Sequence, residues 1–548
     1  MTLRGTMALS RITTLAAAAS RLIALTACAA LILGVSSCSS PDDRNDQDGQ
    51  DDGMTAVSGQ VAVFTPADGV TISGNTPLNK WTAFVPALTD ALISGGVTKK
   101  HISTSTADSL DRQSRDIQDY VVDRVSASGD DSSDDAAHTT LVVAPVTGAD
   151  DTVRQYGDYV SQSVASSSAS DTTDGDDTSA NDEAVSRLVS ALKLAQENGM
   201  HVIMLASTIE GFQPDIYVRM STAEQIGRIQ ALKLVSKLDL DKVSKDNPKT
   251  IEVLLPYTTR SAQSSKTVGG VLKIPSSSQD EDDTQEPTDD SAVFAKAAFK
   301  GLWSVLRPYF KQGRAISASG LLTADTTVDD WRDVSFACVK DDDARAVLRE
   351  RLTMDSAGDA HTRIDGVIAM NDYVASGVAK ELSELGYTGS AADINPSITI
   401  SGIVENITGK KDLQRQKVPD PIKAPESDAG ATEGDTDKDK SAEETNSRWP
   451  IVTGYGAYVD VMPQIVSGQQ WMTALEDRDA LARSVAKACL LFADGTTPNA
   501  GTLPSLASSK VNGKTTATIE EDLLAVSAYN LKATLIEPGY ITLADAGL

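Results

Sequence analysis

Ile364-Asp365-Gly366-Val367-Ile368-Ala369-Met370-Asn371-Asp372 is the stretch on which the fold turns. Residues 366–370 are apolar at successive positions, so both faces of an extended chain would be covered, as in a strand with helices on each side. Asn371 and Asp372 then end the apolar run. The carboxyl end of a strand in an open parallel sheet is where ligands bind, which gives Asn371 one reading. Its amide can both donate to and accept from hydroxyl groups. The other reading is a helix N-cap, a role that Asn371 or Asp372 would serve equally well.

Runs of the same kind recur at 60–64, 140–145, 201–206, 250–255, 315–320, 397–402 and 451–454. Amphipathic helices separate them. Trp81, Phe84, Val85, Leu88 and Leu92 form one apolar stripe at helical spacing. Ser221 and Glu224 have the spacing of a capping box ahead of Ile226, Ile229 and Leu232. Phe294, Ala298, Leu302, Val305 and Leu306 mark a further helix, with Pro308 near its end. Such alternation predicts parallel sheets with right-handed crossovers, hence doubly wound α/β domains. The number of strands fits two domains better than one. No internal repeat is visible.

The chain is 548 residues long and carries a formal net charge of −28. A surface so acidic repels phosphate, so no nucleic-acid partner is expected. Five acidic runs, at 42–52, 130–135, 171–183, 280–290 and 426–444, hold the whole excess, and the remainder is balanced. The charge therefore says little about a binding site. Segments 163–181, 276–290 and 424–446 have almost no aromatic or β-branched apolar residues. They are expected to be disordered loop insertions.

The amino end reads as a processing signal. Arg4, Arg11 and Arg21 precede an apolar run at 22–34, too short to remain as a spanning helix. Val35-Ser36-Ser37-Cys38 closes it and a Ser- and Asp-rich stretch follows. Small residues just before a Cys resemble the lipobox of bacterial lipoproteins. That resemblance implies that Cys38 is the diacylated first residue of the mature chain. Residues 1–38 are then signal and lipobox, and 39–56 a disordered tether at the extracytoplasmic face of the cell membrane.

Catalytic and metal motifs are weak. Asp435, Asp437 and Asp439 approach an EF-hand loop, but Lys440 occupies its glycine position and Asn446 stands where a bidentate Glu is needed. His101, His138, His201 and His361 are not paired at zinc-ligand spacing. Gly454-x-Gly456 fails as a dinucleotide fingerprint because Val459 fills the third glycine position. No cofactor, metal or enzymatic activity is expected. Cys338 and Cys489, each in an apolar stretch expected to be helical, are expected to be buried small hydrophobes.

Taken in order, several further segments carry a resemblance. These are Val202-Ile203, Tyr217-Val218 ahead of Gly227 and Gln230-Ala231, then Gly301, Leu306 through Tyr309, Gly313 and Asp330-Trp331. The stretch quoted first follows, with Ala375, Gly377 and Leu385-Gly386-Tyr387. Ile465-Val466-Ser467-Gly468-Gln469-Gln470-Trp471-Met472-Thr473 is the most specific piece, and Asn530-Leu531 through Gly539-Tyr540 end the series. Together they resemble the sugar-binding proteins of ABC importers, in the xylose and multiple-sugar branch of the type I periplasmic-binding fold. The resemblance implies two Rossmann-like lobes joined by three crossing strands and closing on a ligand. It places a first lobe at 57–206, with 474–500 returning to it, a second lobe at 207–473, and a segment at 501–548 that crosses back to the second lobe. Cys338 and Cys489 would then lie in different lobes.

It also implies site residues. Lys80-Trp81 matches the family's Arg-Trp pair, in which the Trp stacks on a sugar ring and the Arg bonds hydroxyls. Trp81 belongs equally to the apolar stripe, Lys80 lacks the forked donors of Arg, and Lys80 alone reads as a solvated helix charge. Asn371 matches the family's strand-end Asn, with Asp372 beside it. Three expected charged positions are replaced, by Ala206-Ser207, by Gly456 next to Tyr455, and by Glu476. Tyr257, Arg260 and Tyr455 are candidate replacements by proximity to strand ends. Two functions follow. One is a lipid-anchored solute-binding protein that delivers a small polar ligand, a carbohydrate, to an ABC permease. The other is a degenerate two-lobe surface protein that acts as a sensor or interaction module without tight sugar binding.

Overall fold

The computed structural model describes residues 59–68, 76–126, 136–148, 151–164, 175–257, 290–338, 340–353, 361–392 and 444–548. The described residues begin with β1 (Gln60–Pro66), α1 (Trp81–Ser94), β2 (Ile102–Ala107), α2 (Leu110–Ser126) and β3 (Thr139–Val143). A short α3 (Asp151–Arg154), β4 (Ser163–Val164), α4 (Gly175–Glu197), β5 (His201–Leu205), β6 (Thr208–Ile209) and β7 (Ile216–Arg219) follow. Next come α5 (Ala223–Lys237), β8 (Lys249–Val253), β9 (Leu255–Pro256), α6 (Asp290–Lys311), β10 (Ala315–Ile316) and β11 (Ser335–Phe336). Then α7 (Asp341–Thr353), β12 (Gly366–Ile368), α8 (Asp372–Glu384), β13 (Ile451–Thr453) and α9 (Met462–Ser467) lead to β14 (Met472–Leu475). The described chain continues with α10 (Arg478–Ala493), the hairpin β15 (Leu506–Val511) and β16 (Lys514–Glu520), and β17 (Leu524–Ser527).

Two main sheets result, one per lobe. The first has the order β15-β16-β7-β5-β3-β1-β2 and the second β10-β8-β12-β13-β14-β17. Pairing is parallel throughout except at β15/β16 and β14/β17. The fold is α/β, with two doubly wound lobes. The chain passes between the sheets three times: from β7 to α5, from β14 to α10, and from β16 to β17. The first lobe reaches further than the 57–206 expected, because β7 pairs with β5 in its sheet. Segment 501–548 first adds β15 and β16 to that same sheet and crosses only afterwards.

Alternation along β1 shows why its sequence is apolar on both faces. Val61 and Val63 join the cluster that α1 and α10 cover through Phe84, Leu88, Val485 and Phe492. Ala62 and Phe64 join the opposite cluster under α2 and α4, with Ile117 and Leu188. Period-two side-chain direction makes one strand serve two cores. In the second lobe α5 and α6 cross so closely that a Cβ at Gly227 would collide with the Ala298 carbonyl, and one at Gly301 with that of Glu224. Glycine is required at both positions by backbone approach.

Local departures have physical reasons. Thr222, not Ser221, caps α5 by accepting from the Gln225 amide, and its hydroxyl in turn donates to Gln225 Oε1. Ser221 is instead drawn to a buried carboxylate. Cys338 lies just beyond β11 rather than in a helix, whereas Cys489 is within α10. The two are buried in separate clusters. Part of the expected disordered segment 163–181 is ordered: β4 pairs with β6, and α4 begins at Gly175. Cys38, the tether, the acidic run at 130–135, residues 276–289, the strand expected at 397–402, residues 424–443 and Arg260 lie outside the described residues. Among the described residues, no helix is long and apolar enough to cross a membrane.

Candidate functional site

Lys80 and Trp81 stand at the head of α1, at the carboxyl edge of the first sheet. The Trp81 ring is only 4% exposed and lies 5.8 Å from Phe84 and 4.9 Å from Tyr159. It is part of the lobe core, one of its two sequence readings. The Lys80 ammonium is held 3.0 Å from the Asp158 carboxylate. Asp158 also accepts from the Trp81 amide, so it satisfies an otherwise orphaned donor of the helix. Burial raises the Asp158 carboxyl to about 6, against the attraction of Lys80 and with a further push from Asp68.

Asn371 caps α8, its Oδ1 accepting from the Val374 amide at 2.9 Å. The cap leaves Nδ2, which donates to Oε1 of Gln155 at 3.0 Å. Asp372 is fully buried and accepts from Gln470 Nε2, Thr473 Oγ1 and the Tyr458 amide. It therefore locks β14 and the turn after β13 onto the head of α8. Burial lifts its carboxyl to about 6, against the pull of those donors. The Tyr455 carbonyl accepts from the Asp372 amide, and the buried Tyr455 hydroxyl is pushed well above the usual phenol range by desolvation and by nearby Glu476. Gly456 has φ +112, and a Cβ there would press on the Tyr458 ring. A charged residue in its place would have to rebuild this turn.

Residues 151–161, between β3 and β4, join these two sides. Tyr156 is 1% exposed, 4.6 Å from Phe294 and 6.3 Å from Tyr455, within the second-lobe core. Tyr159, three residues on, is buried in the first-lobe core and its hydroxyl donates to the Lys80 carbonyl at 2.6 Å. The Gln155 carbonyl accepts from the Tyr458 hydroxyl at 2.7 Å. Below them, at the crossings, Glu476 is 1% exposed and accepts from Asn79 Nδ2 and Ser221 Oγ. Glu476 thus replaces an expected cation with a carboxylate that ties two crossing segments together. Ala206 and Ser207 are also buried, and Tyr217 donates to the Ala206 carbonyl. Tyr257 packs edge-on to Trp331 within the second lobe.

The sequence singled out Lys80, Trp81, Asn371, Asp372 and Tyr455 but not the groups that meet them. Gln155, Tyr156, Asp158 and Tyr159 had one visible signal: Val153, Tyr156, Tyr159 and Val160 interrupt a Ser- and Asp-rich stretch with apolar mass. A separate cavity of about 250 Å³ lies in the first lobe, lined by Lys193, Gln196, Phe212, Gln213, Asn512 and Lys514. It includes none of the expected site residues. Among the described residues, no group of three His, Cys, Asp or Glu could hold a metal ion. Chemically, the interlobe arrangement consists of buried aromatic rings, an amide pair and carboxylates, each already held by partners within the chain.

No family model and no curated protein matches the chain. Solved structures do. An ABC transporter solute-binding protein from Clostridium phytofermentans with bound β-D-glucose aligns over 89% of this chain and 99% of its own, at 16% identity and a TM-score of 0.44. A carbohydrate transporter solute-binding protein from Chloroflexus aurantiacus, in complex with D-glucose, aligns over 90% and 98%, at 15% identity and 0.43. AraP, an arabinose-binding protein from Geobacillus stearothermophilus, aligns over 87% and 99%, at 9% identity and 0.42. The two-lobe fold stands on this chain's own sheet order and its three crossings.

Proposed function

We propose that this chain is a solute-binding protein of an ABC importer that carries a small polar ligand, a sugar, between its lobes. The observation that carries the reading is two mainly parallel sheets joined by three crossings, with Lys80 and Asn371 at the heads of α1 and α8, the helices that follow β1 and β12 and stand where such sheets bind ligands. Binding rather than catalysis is its role. Cys38 is the lipid anchor, cleavage occurs after residue 37, and the tether holds the lobes at the extracytoplasmic face of the membrane beside a permease. The xylose and multiple-sugar branch is the part of the family to which it belongs. A thermal-shift and calorimetric screen with D-glucose, D-ribose, D-xylose, L-arabinose and myo-inositol tests the ligand. Saturable stabilisation by one of them supports it, and silence across the set defeats it. Cys38→Ala is expected to release the protein from membranes, and retention would remove the anchor from the proposal.

One observation favours the second reading, a two-lobe sensor or interaction module without tight sugar binding. Lys80 and Asn371 already have partners in the chain, in Asp158 and Gln155. A surface module would show no solute response with residues 151–161 either in place or released.

A further inference from the structure

We propose that residues 151–161 form a strap that occupies the interlobe cleft from within the chain, so that a solute reaches Lys80 and Asn371 only when the strap withdraws. This rests on the reading of that cleft as the solute site. The strap presents what a solute would present. Gln155 Oε1 takes the Asn371 amide proton as a ligand oxygen would, at 3.0 Å. The Asp158 carboxylate takes the Lys80 ammonium at 3.0 Å and the free amide at the head of α1. The Tyr156 ring packs at a tilt against Phe294 at 4.6 Å and Tyr455 at 6.3 Å, filling with an aromatic side chain a place on the second-lobe side.

The strap is also a stitch. Val153, Tyr156 and Val160 belong to the second-lobe core, whereas Tyr159 belongs to the first. Its far end is pinned beside a crossing, where the Ser161 amide donates to the Ser221 carbonyl at 2.9 Å. Separating the lobes must therefore pull either Tyr156 or Tyr159 out of a packed cluster. A cleft built this way is closed before it binds, and the solute competes with the chain's own side chains. Population-shift logic then applies: apparent affinity is lowered by the fraction of molecules whose strap is in place.

Hydrogen exchange on the full-length chain tests this. The Asp158 and Ser161 amides, bonded to the Asn79 and Ser221 carbonyls, are expected to be protected in the solute-free protein. Tyr156→Ala is expected to speed their exchange about tenfold or more and to raise the radius of gyration in small-angle scattering. Tyr458→Phe, which removes only the hydroxyl bonded to Gln155, gives the same direction at smaller size and serves if Tyr156→Ala fails to fold. Native strap amides that exchange as fast as a free peptide overturn the strap. So does D-glucose or D-ribose binding to the native protein with strap protection unchanged, an outcome that leaves the solute reading standing. If Tyr156→Ala opens the lobes and no sugar in the screen binds it, the strap stands and the sugar reading falls.

Discussion

The two sides of the cleft each hold a carboxyl raised to about 6, and they hold it in different ways. Asp372, on the second-lobe side, is wholly buried and bound by neutral donors from its own lobe: Gln470 at 2.6 Å, Thr473 at 2.8 Å and the Tyr458 amide at 3.0 Å. Asp158, on the first-lobe side, is 19% exposed, comes from the strap, and faces one cation. The first is part of the architecture, since two separate segments, the turn after β13 and the start of β14, converge on it. The second is an exchangeable pairing, because water and protons can compete for this partly exposed pair. Similar pKa positions therefore conceal different roles.

The largest test of this contrast is truncation. Asp372→Ala removes the acceptor shared by three buried donors, each unmade bond costing about 1–3 kcal/mol, and is expected to destabilise the protein by about 3 kcal/mol or more. Asp158→Ala is expected to cost about 1 kcal/mol, as Lys80 can turn to solvent. Urea unfolding at neutral pH measures both. Equal losses would erase the distinction.

The sequence made the buried strands legible because double coverage leaves an unmistakable apolar run. The runs at 60–64, 201–206 and 451–454 coincide with β1, β5 and β13. Edge strands carry no such mark. β2 is Ile-Ser-Thr-Ser-Thr-Ala and β15 is Leu-Ala-Ser-Ser-Lys-Val, half exposed and carrying hydroxyls, and neither was anticipated. At the site Asn371 could be found, because sheet topology dictates where a strand-end residue stands, and Lys80 and Trp81 could be found only through the resemblance. Their partners could not, since Gln155 and Asp158 reach them through a connection whose path no periodicity encodes. Composition also misled at 163–181. Its Ser- and Asp-rich character hid the start of α4, whose buried Leu188 and Leu192 lie further along the same helix.

The second test is pH. A carboxyl whose folded pKa is above its unfolded value of 3.8 binds more protons in the folded state between those two values. Stability must then fall as pH rises from about 4 to about 6, the reverse of the usual ion-paired carboxylate. A shift of this size corresponds to about 3 kcal/mol for a fully buried group and less for the partly exposed Asp158. Asp111 and Asp545 are lowered instead, so their opposite contribution falls below that window, whereas His201, lowered by burial from 6.5, opposes part of the decline just below 6.5. Urea midpoints at pH 4 and pH 7 are expected to decline, and Asp372→Asn is expected to remove the larger share of the decline. A decline unaffected by Asp372→Asn would move its source to other groups.

The smallest effect, and the finest probe of the contrast, is Lys80→Ala. Removing the ammonium takes away the one cation that holds Asp158 down, so its carboxyl must rise further and protonate. Because Asp158 can escape by taking a proton, the expected loss at pH 7 is only about 1 kcal/mol. Below about pH 5 Asp158 is already mostly neutral, so the pair contributes little and the variant should approach the native stability. Asp372 has no such dependence on Lys80, since its donors are neutral and belong to the other lobe. A Lys80→Ala penalty that shrinks with acid while the Asp372 titration stays fixed would establish the two carboxyls as independent. A penalty that persists at pH 4 would instead assign Lys80 a packing role at the head of α1, in which its charge has no part.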